Sequence, residues 1–191
     1  VKLNSIQQQL SIGATSHHPK WAIAYKFKAI EKPTILLNIE YQVGRTGIVT
    51  PVAKVEPVSV GGVTVRSISL HNEDSIKSKD IRIGDIVFIE RAGDVIPQIT
   101  RVDINERKVV RDFEYIKTCP SCSSELIRRE GEAAWRCINT LNCPAQNLEK
   151  IIYFASKDAM NINGLGKDII KRFIEQGIIK RLENPDLFIA P

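Results

Sequence analysis

Between Lys20 and Ile30 apolar and polar positions change places at every residue. Trp21, Ile23, Tyr25 and Phe27 fall on one side, and Ala22, Ala24, Lys26 and Lys28 on the other. That is the period of a β-strand. The same alternation predicts strands over Thr34–Val43, Ile48–Val58, Val63–Leu70, Ile86–Glu90 and Val95–Val102. Gly44-Arg45-Thr46-Gly47 and Gly61-Gly62 punctuate the first three, because tight turns favour glycine. Near both ends the period turns helical. Asn4 or Ser5 can cap a short helix through Ile6 and Leu10 that stops at Gly13, and Asn72 can cap another through Ile76. Beyond Cys143-Pro144, the residues Leu148, Ile151, Ile152 and Ala155 share one helical face. Ile169, Ile170, Phe173 and Ile174 form a second face, which Gly177 ends.

Three strands, a short helix and two strands are the order of an oligonucleotide-binding (OB) barrel, a five-stranded, partly open Greek key. The predicted class is a multi-domain, mainly β chain: an OB-fold, a small four-cysteine zinc finger, then an α-helical segment. The zinc finger rests on spacing. All four cysteines lie in Cys119-Pro120-Ser121-Cys122, fourteen residues, Cys137, five residues, Cys143. Two pairs separated by a hairpin-sized loop supply the four thiolates of a tetrahedral Zn(II) site. Two disulfides or a redox pair are the competing readings. A four-thiolate site has no open position, so this metal organises structure and does no chemistry.

Composition changes the picture only slightly. The 191 residues are 43% hydrophobic and 26% charged, which suits one or two small globular domains. No apolar run reaches the roughly 18 residues of a membrane span. A formal charge of +5 and a pI near 9.0 fit a polyanionic partner such as nucleic acid. Arg45 and Arg91 stand beside glycines, where a guanidinium fork can reach a phosphate that approaches bare backbone; a surface ion pair is the plainer reading of each. Asp85 and Asp94 occupy turn positions and receive no catalytic role. Arg128, Arg129, Arg136 and Trp135 suit either a sugar-phosphate contact or a solvated hairpin. Ile162-Asn163-Gly164-Leu165-Gly166-Lys167 reads as a helix-hairpin-helix turn, whose free N–H groups, backed by Lys167, receive a DNA phosphate without reading sequence.

Five words together resemble the bacterial NAD-dependent DNA ligase family across essentially the whole chain. They are Trp21-Ala22-Ile23-Ala24-Tyr25-Lys26-Phe27, Val43-Gly44-Arg45-Thr46-Gly47, Leu70-His71-Asn72, Arg91-Ala92-Gly93-Asp94-Val95-Ile96-Pro97 and the cysteine spacing. The resemblance implies the end of an adenylation domain over 1–31, an OB-fold over 32–112, a zinc finger over 113–146 and the start of a helix-hairpin-helix domain over 147–191. It implies that Lys2 and Lys26 hold the adenylate phosphate, that Arg45, Arg91, Gly164, Gly166 and Lys167 contact DNA, and that Cys119, Cys122, Cys137 and Cys143 bind zinc. It implies NAD and Mg(II) as cofactors, nicked double-stranded DNA as partner, and a monomer in the cytoplasm. The family's nucleophile sits in a Lys-x-Asp-Gly word, and no Asp-Gly occurs here. The chain is therefore expected to clamp DNA without adenylating itself. Lys28 replaces a usual proline, and Ser123 a usual knuckle glycine. A non-enzymatic single-strand binder and a purely structural zinc adaptor are the alternatives.

Overall fold

A computed structural model of the chain describes residues 1–25, 31–92, 96–108 and 113–179. Lys26 and the end of its strand lie outside these, as do Asp94 and the residues after 179. The chain divides into two compact units, 1–30 and 31–191.

In the first unit, helix α1 (Ile6–Ile12) starts at Ser5, whose hydroxyl accepts from the Gln8 N–H at 3.5 Å. It stops at Gly13, where φ is +69°. The strand expected from Lys20 shrinks, among the described residues, to one antiparallel bridge between Lys2 and Ala22. Hydrogen bonds from Leu3 N–H to Trp21 O (3.1 Å) and from Ile23 N–H to Val1 O (2.9 Å) flank it. The expected core face is uncovered, with Ile23 76% and Tyr25 69% exposed. Alternation marks a face that wants cover. α1, which buries none of its residues, supplies none.

The second unit begins with β1 (Lys32–Val43), β2 (Ile48–Val60) and β3 (Val63–Ser69), then α2 (Glu73–Ser78), β4 (Ile86–Ala92) and β5 (Ile96–Val102). This is the order the periodicity predicts, with boundaries moved by one or two residues. All ladders are antiparallel: β1 pairs with β2 and β4, β2 with β3, and β4 with β5. Register breaks between Leu36 and Asn38, between Lys54 and Val58, and between Phe88 and Ile89. Such irregularities bend strands and let a sheet curl. Among the described residues no ladder joins β3 to β5, so the expected barrel is an open curled sheet.

The inner face packs Leu36, Ala53, Ile68, Ile76, Ile81, Val87 and Ile89, each no more than 3% exposed. Complete burial of such a side chain stabilises by about 2 kcal/mol. Asp85, 1% exposed, is held by the Arg107 fork at 2.8 and 2.9 Å and by the Arg82 N–H at 2.8 Å. Arg107 also reaches Asp80. Asp85 thus ties the loop before β4 to the chain after β5, in keeping with a structural role.

The sheet continues past β5 into β6 (Leu126–Ile127) and β7 (Trp135–Cys137), because β7 pairs with β2. α3 (Pro144–Ala155) and α4 (Lys167–Glu175) then pack around Ile151, Ala155 and Ile170. Among the described residues no helix is long and apolar enough to cross a membrane.

Candidate metal centre and nucleic-acid interface

The cysteines converge because two short turns and one ladder aim them at a common point. Ser123 N–H donates to Cys119 O at 2.9 Å, and Cys119 N–H to Ser124 O at 2.8 Å, closing the first turn. Ser123 takes φ +58° there, the left-handed conformation that a glycine adopts without strain. Pairing of β6 with β7 sets Cys137 opposite Leu126. Cys143 ends the second turn, its N–H donating to Asn139 O at 3.1 Å.

All four sulfurs lie within 4.8 Å of one another, with Cys119 to Cys143 at 3.9 Å and Cys122 to Cys137 at 3.5 Å. Four thiolates about 2.3 Å from one Zn(II) in tetrahedral array stand about 3.8 Å apart, so the donor set fits. The thiols are free and unbridged, which removes the disulfide reading. Burial pushes the Cys137 thiol up to about 12 and raises that of Cys119. At Cys122 burial also acts upward, but hydrogen bonds with Ser124, Cys137 and Cys119 together outweigh it and bring the thiol down to about 6. Thiols that bind a metal ion do so as thiolates, so zinc uptake at this site should release protons.

The metal centre is built onto the curled sheet. Cys137 N–H donates to Gly47 O at 2.8 Å, and the Gln146 side-chain amide donates to Cys137 O at 3.0 Å. Gly47 has φ +81°, and a Cβ there would collide with the Cys137 carbonyl oxygen. Trp135 on β7 donates its indole N–H to Glu73 at 2.8 Å and stacks on Tyr115 at 6.0 Å. Tyr115 is 8% exposed and donates its hydroxyl to Val49 O at 2.9 Å. Arg128 spans from the metal hairpin to Asp74 (2.5 Å) and Glu73 (3.5 Å) on α2. Desolvation acts to raise Glu73, but Lys77, Trp135 and Arg128 together hold its carboxyl below the usual range. Arg128 and Trp135 therefore fasten the hairpin to α2, and Arg136 pairs with Glu132 at 2.8 Å.

The sequence-predicted DNA residues divide into two groups. Arg45 is exposed on its turn, with its guanidinium carbon 4.1 Å from the ring centre of Tyr153 on α3. Lys167, at the start of α4, pairs with Glu149 at 2.9 Å. Lys167 lines two open grooves of about 480 and 490 Å³. The first runs along the Gly164–Gly166 loop, where φ of Gly164 is +84°. The second lies between α3 and the β1–β2 hairpin and includes Gln42, Gly44, Thr50 and Ser69. Arg91 lines neither groove and donates to Gly61 O at 2.9 Å. Lys2, expected to hold the adenylate phosphate rather than DNA, is exposed beside its bridge to Ala22, in the other unit. Sequence reasoning read Gly47 only as a turn residue and missed Glu73, Tyr115 and Gln146. The adjacent Glu73-Asp74 at a helix start, facing an arginine-rich hairpin later in the chain, was the one available signal.

Three family models match the chain. The NAD-dependent DNA ligase adenylation domain matches residues 1–30, the OB-fold domain of the same ligases residues 33–111, and their C4 zinc finger domain residues 118–145. A DNA ligase of Persephonella marina is 54% identical over all of this chain and 26% of its own length. One of Sulfurihydrogenibium azorense is 53% identical over 98% of the chain and 26% of its length. One of Listeria monocytogenes is 52% identical over 98% of the chain and 28% of its length. The chain thus spans about a quarter of the length of the curated relatives it matches.

Proposed function

Since this chain belongs to the NAD-dependent DNA ligase family, we propose that it is the part of such an enzyme that grips nicked duplex DNA. In this reading the whole protein joins a 5′-phosphate to a 3′-hydroxyl through an adenylate taken from NAD, with Mg(II) screening phosphate charge. Residues 1–31 close the adenylation domain, 32–112 form the OB-fold, 113–146 the zinc finger, and 147–191 open a helix-hairpin-helix domain. Lys2 and Lys26 neutralise the adenylate phosphate during transfer. The enzyme acts in the cytoplasm as a monomer. The segment holds no Lys-x-Asp-Gly word, so its share is positioning DNA.

The observation that carries the reading is the place of Lys167. It borders both grooves, so the Gly164–Gly166 loop, Lys167 and Gly44 at the start of the β1–β2 turn follow one another along the two grooves. Backbone amides at a helix start and well-spaced cations suit phosphates and read no bases. Arg91 meets the same duplex separately, from the β4 end. Among the described residues of 31–191, no Phe, Tyr or Trp is among the exposed large side chains. A single-strand binder would need such rings as stacking platforms.

Binding of nicked, intact and single-stranded DNA of one sequence, titrated with salt, tests the reading. We expect preference for the nicked duplex and a log–log salt slope of roughly −3 to −5, as for a handful of phosphate contacts. Preference for the single strand would transfer the chain to the non-enzymatic binders. Absence of any salt-sensitive binding would leave a structural zinc adaptor.

A further inference from the structure

Arg45 sits on an exposed turn of a curled sheet, yet its head group is held by a different element. Its partner Tyr153 belongs to α3, which leaves the metal centre directly: Cys143 precedes Pro144, the first helical residue. Ala145, Glu149 and Tyr153 follow at intervals of four, so they form one stripe about 12 Å long. Ala145 and Glu149 line the groove beside the β1–β2 hairpin, Glu149 carries Lys167, and Tyr153 carries Arg45. The remaining freedom of α3 is removed by Gln146, fully buried, whose amide holds the carbonyl of the ligand Cys137. The N–H of that same Cys137 is held by Gly47, two residues beyond Arg45. Cys137 is thus tied on one side to the backbone of the arginine's turn and on the other to the helix that carries the ring under its side chain.

We infer that Tyr153 is a positioning residue for Arg45, through which the metal centre sets the pose of a phosphate-contacting guanidinium. The inference rests on the reading of Arg45 as a DNA contact. A guanidinium over an aromatic ring engages through its π face, while its N–H bonds lie in its own plane and stay available for a bidentate phosphate fork. The ring therefore does not compete with DNA. It removes rotamer freedom that binding would otherwise have to remove, which is preorganisation.

The test uses the zinc-loaded full-length protein with Tyr153→Leu, Tyr153→Phe, Arg45→Ala and the double variant Arg45→Ala/Tyr153→Leu, each checked for zinc content. The arginine side-chain protons of Arg45 should show an upfield ring-current shift in the parent and in Tyr153→Phe, lost in Tyr153→Leu. Tyr153→Leu should weaken nicked-duplex binding about three- to fivefold, as expected for an exposed cation–π contact, while Tyr153→Phe stays within about twofold of the parent. In the Arg45→Ala background Tyr153→Leu should cost nothing more. A ring-current shift with no effect of Arg45→Ala on binding would overturn the DNA role of Arg45, and the inference with it. An effect of Arg45→Ala with none of Tyr153→Leu, or additive losses in the double variant, would overturn the inference alone. Should Tyr153→Leu fail to retain zinc, Tyr153→Ile replaces it, and a binding loss that Phe does not rescue would equally sink the idea.

Discussion

Gly47 shows how one missing methyl group can decide whether two domains join. The residue reads in sequence as the end of a tight turn, and its φ of +81° bears that out. Its second task is invisible there, because the chain that presses on it arrives much later, at Cys137. Gly47→Ala should destabilise the protein by about 3 kcal/mol, combining left-handed strain with a backbone collision, and should lower zinc affinity. Gly62 also has a left-handed φ, +77°, but faces open space; Gly62→Ala should cost only about 1 kcal/mol and leave zinc binding unchanged. Urea unfolding with a parallel zinc assay separates the two. The contrast marks what a single residue reveals. The cysteine spacing carried its whole meaning locally, whereas the Gly44–Gly47 turn carried only half of its meaning.

At the scale of elements, the strands of residues 32–102, the Asn72 cap and the first cap, as either Asn4 or Ser5, were legible because alternation and capping are local patterns. The contacts between elements were not. The acidic start of α2 reads as ordinary helix chemistry, since carboxylates favour that end. The folded chain uses Glu73 as the acceptor for Trp135 and as a partner of Arg128, fastening the metal hairpin to the curled sheet. Of the strand read over Lys20–Ile30, the described residues up to Tyr25 hold one bridge, from Ala22 to Lys2, and the remainder lies outside the described residues. The Glu73 fastening yields a pH dependence. Its carboxyl is lower in the folded chain than in the unfolded one, so its stabilisation is fully present above the unfolded value, about 4.3, and fades as pH falls through the folded value. Glu73→Gln should therefore lower stability by about 1–2 kcal/mol at pH 7. The gap between the two proteins should close in acid, as followed by urea unfolding. A gap that stayed constant with pH would show that the charge contributes nothing.

The molecule beyond residue 31 is one continuous stack, from curled sheet through metal hairpin to helix pair, joined by the β2–β7 ladder, the Tyr115–Trp135 stack and Gln146. The order of these parts was legible from the sequence, but their fusion into one sheet was not, because β6 and β7 have two and three residues. Elements that short have no period to read. Fusion gives the metal a long reach. Cys137→Ser should lose zinc and raise amide exchange in α3 and α4, while the β1–β4 amides keep their protection. Full zinc occupancy and unchanged thermal unfolding would refute the site.

α3 begins at a metal ligand, with no side-chain cap on its first turn. A helix of twelve residues is marginal by itself in water, since its first turn is the costly one. A metal ion held through Cys143 would pin that first turn in place. Ordering of the helix pair should then depend on metal bound at Cys119, Cys122, Cys137 and Cys143, so that zinc removal frays α3 from its first turn.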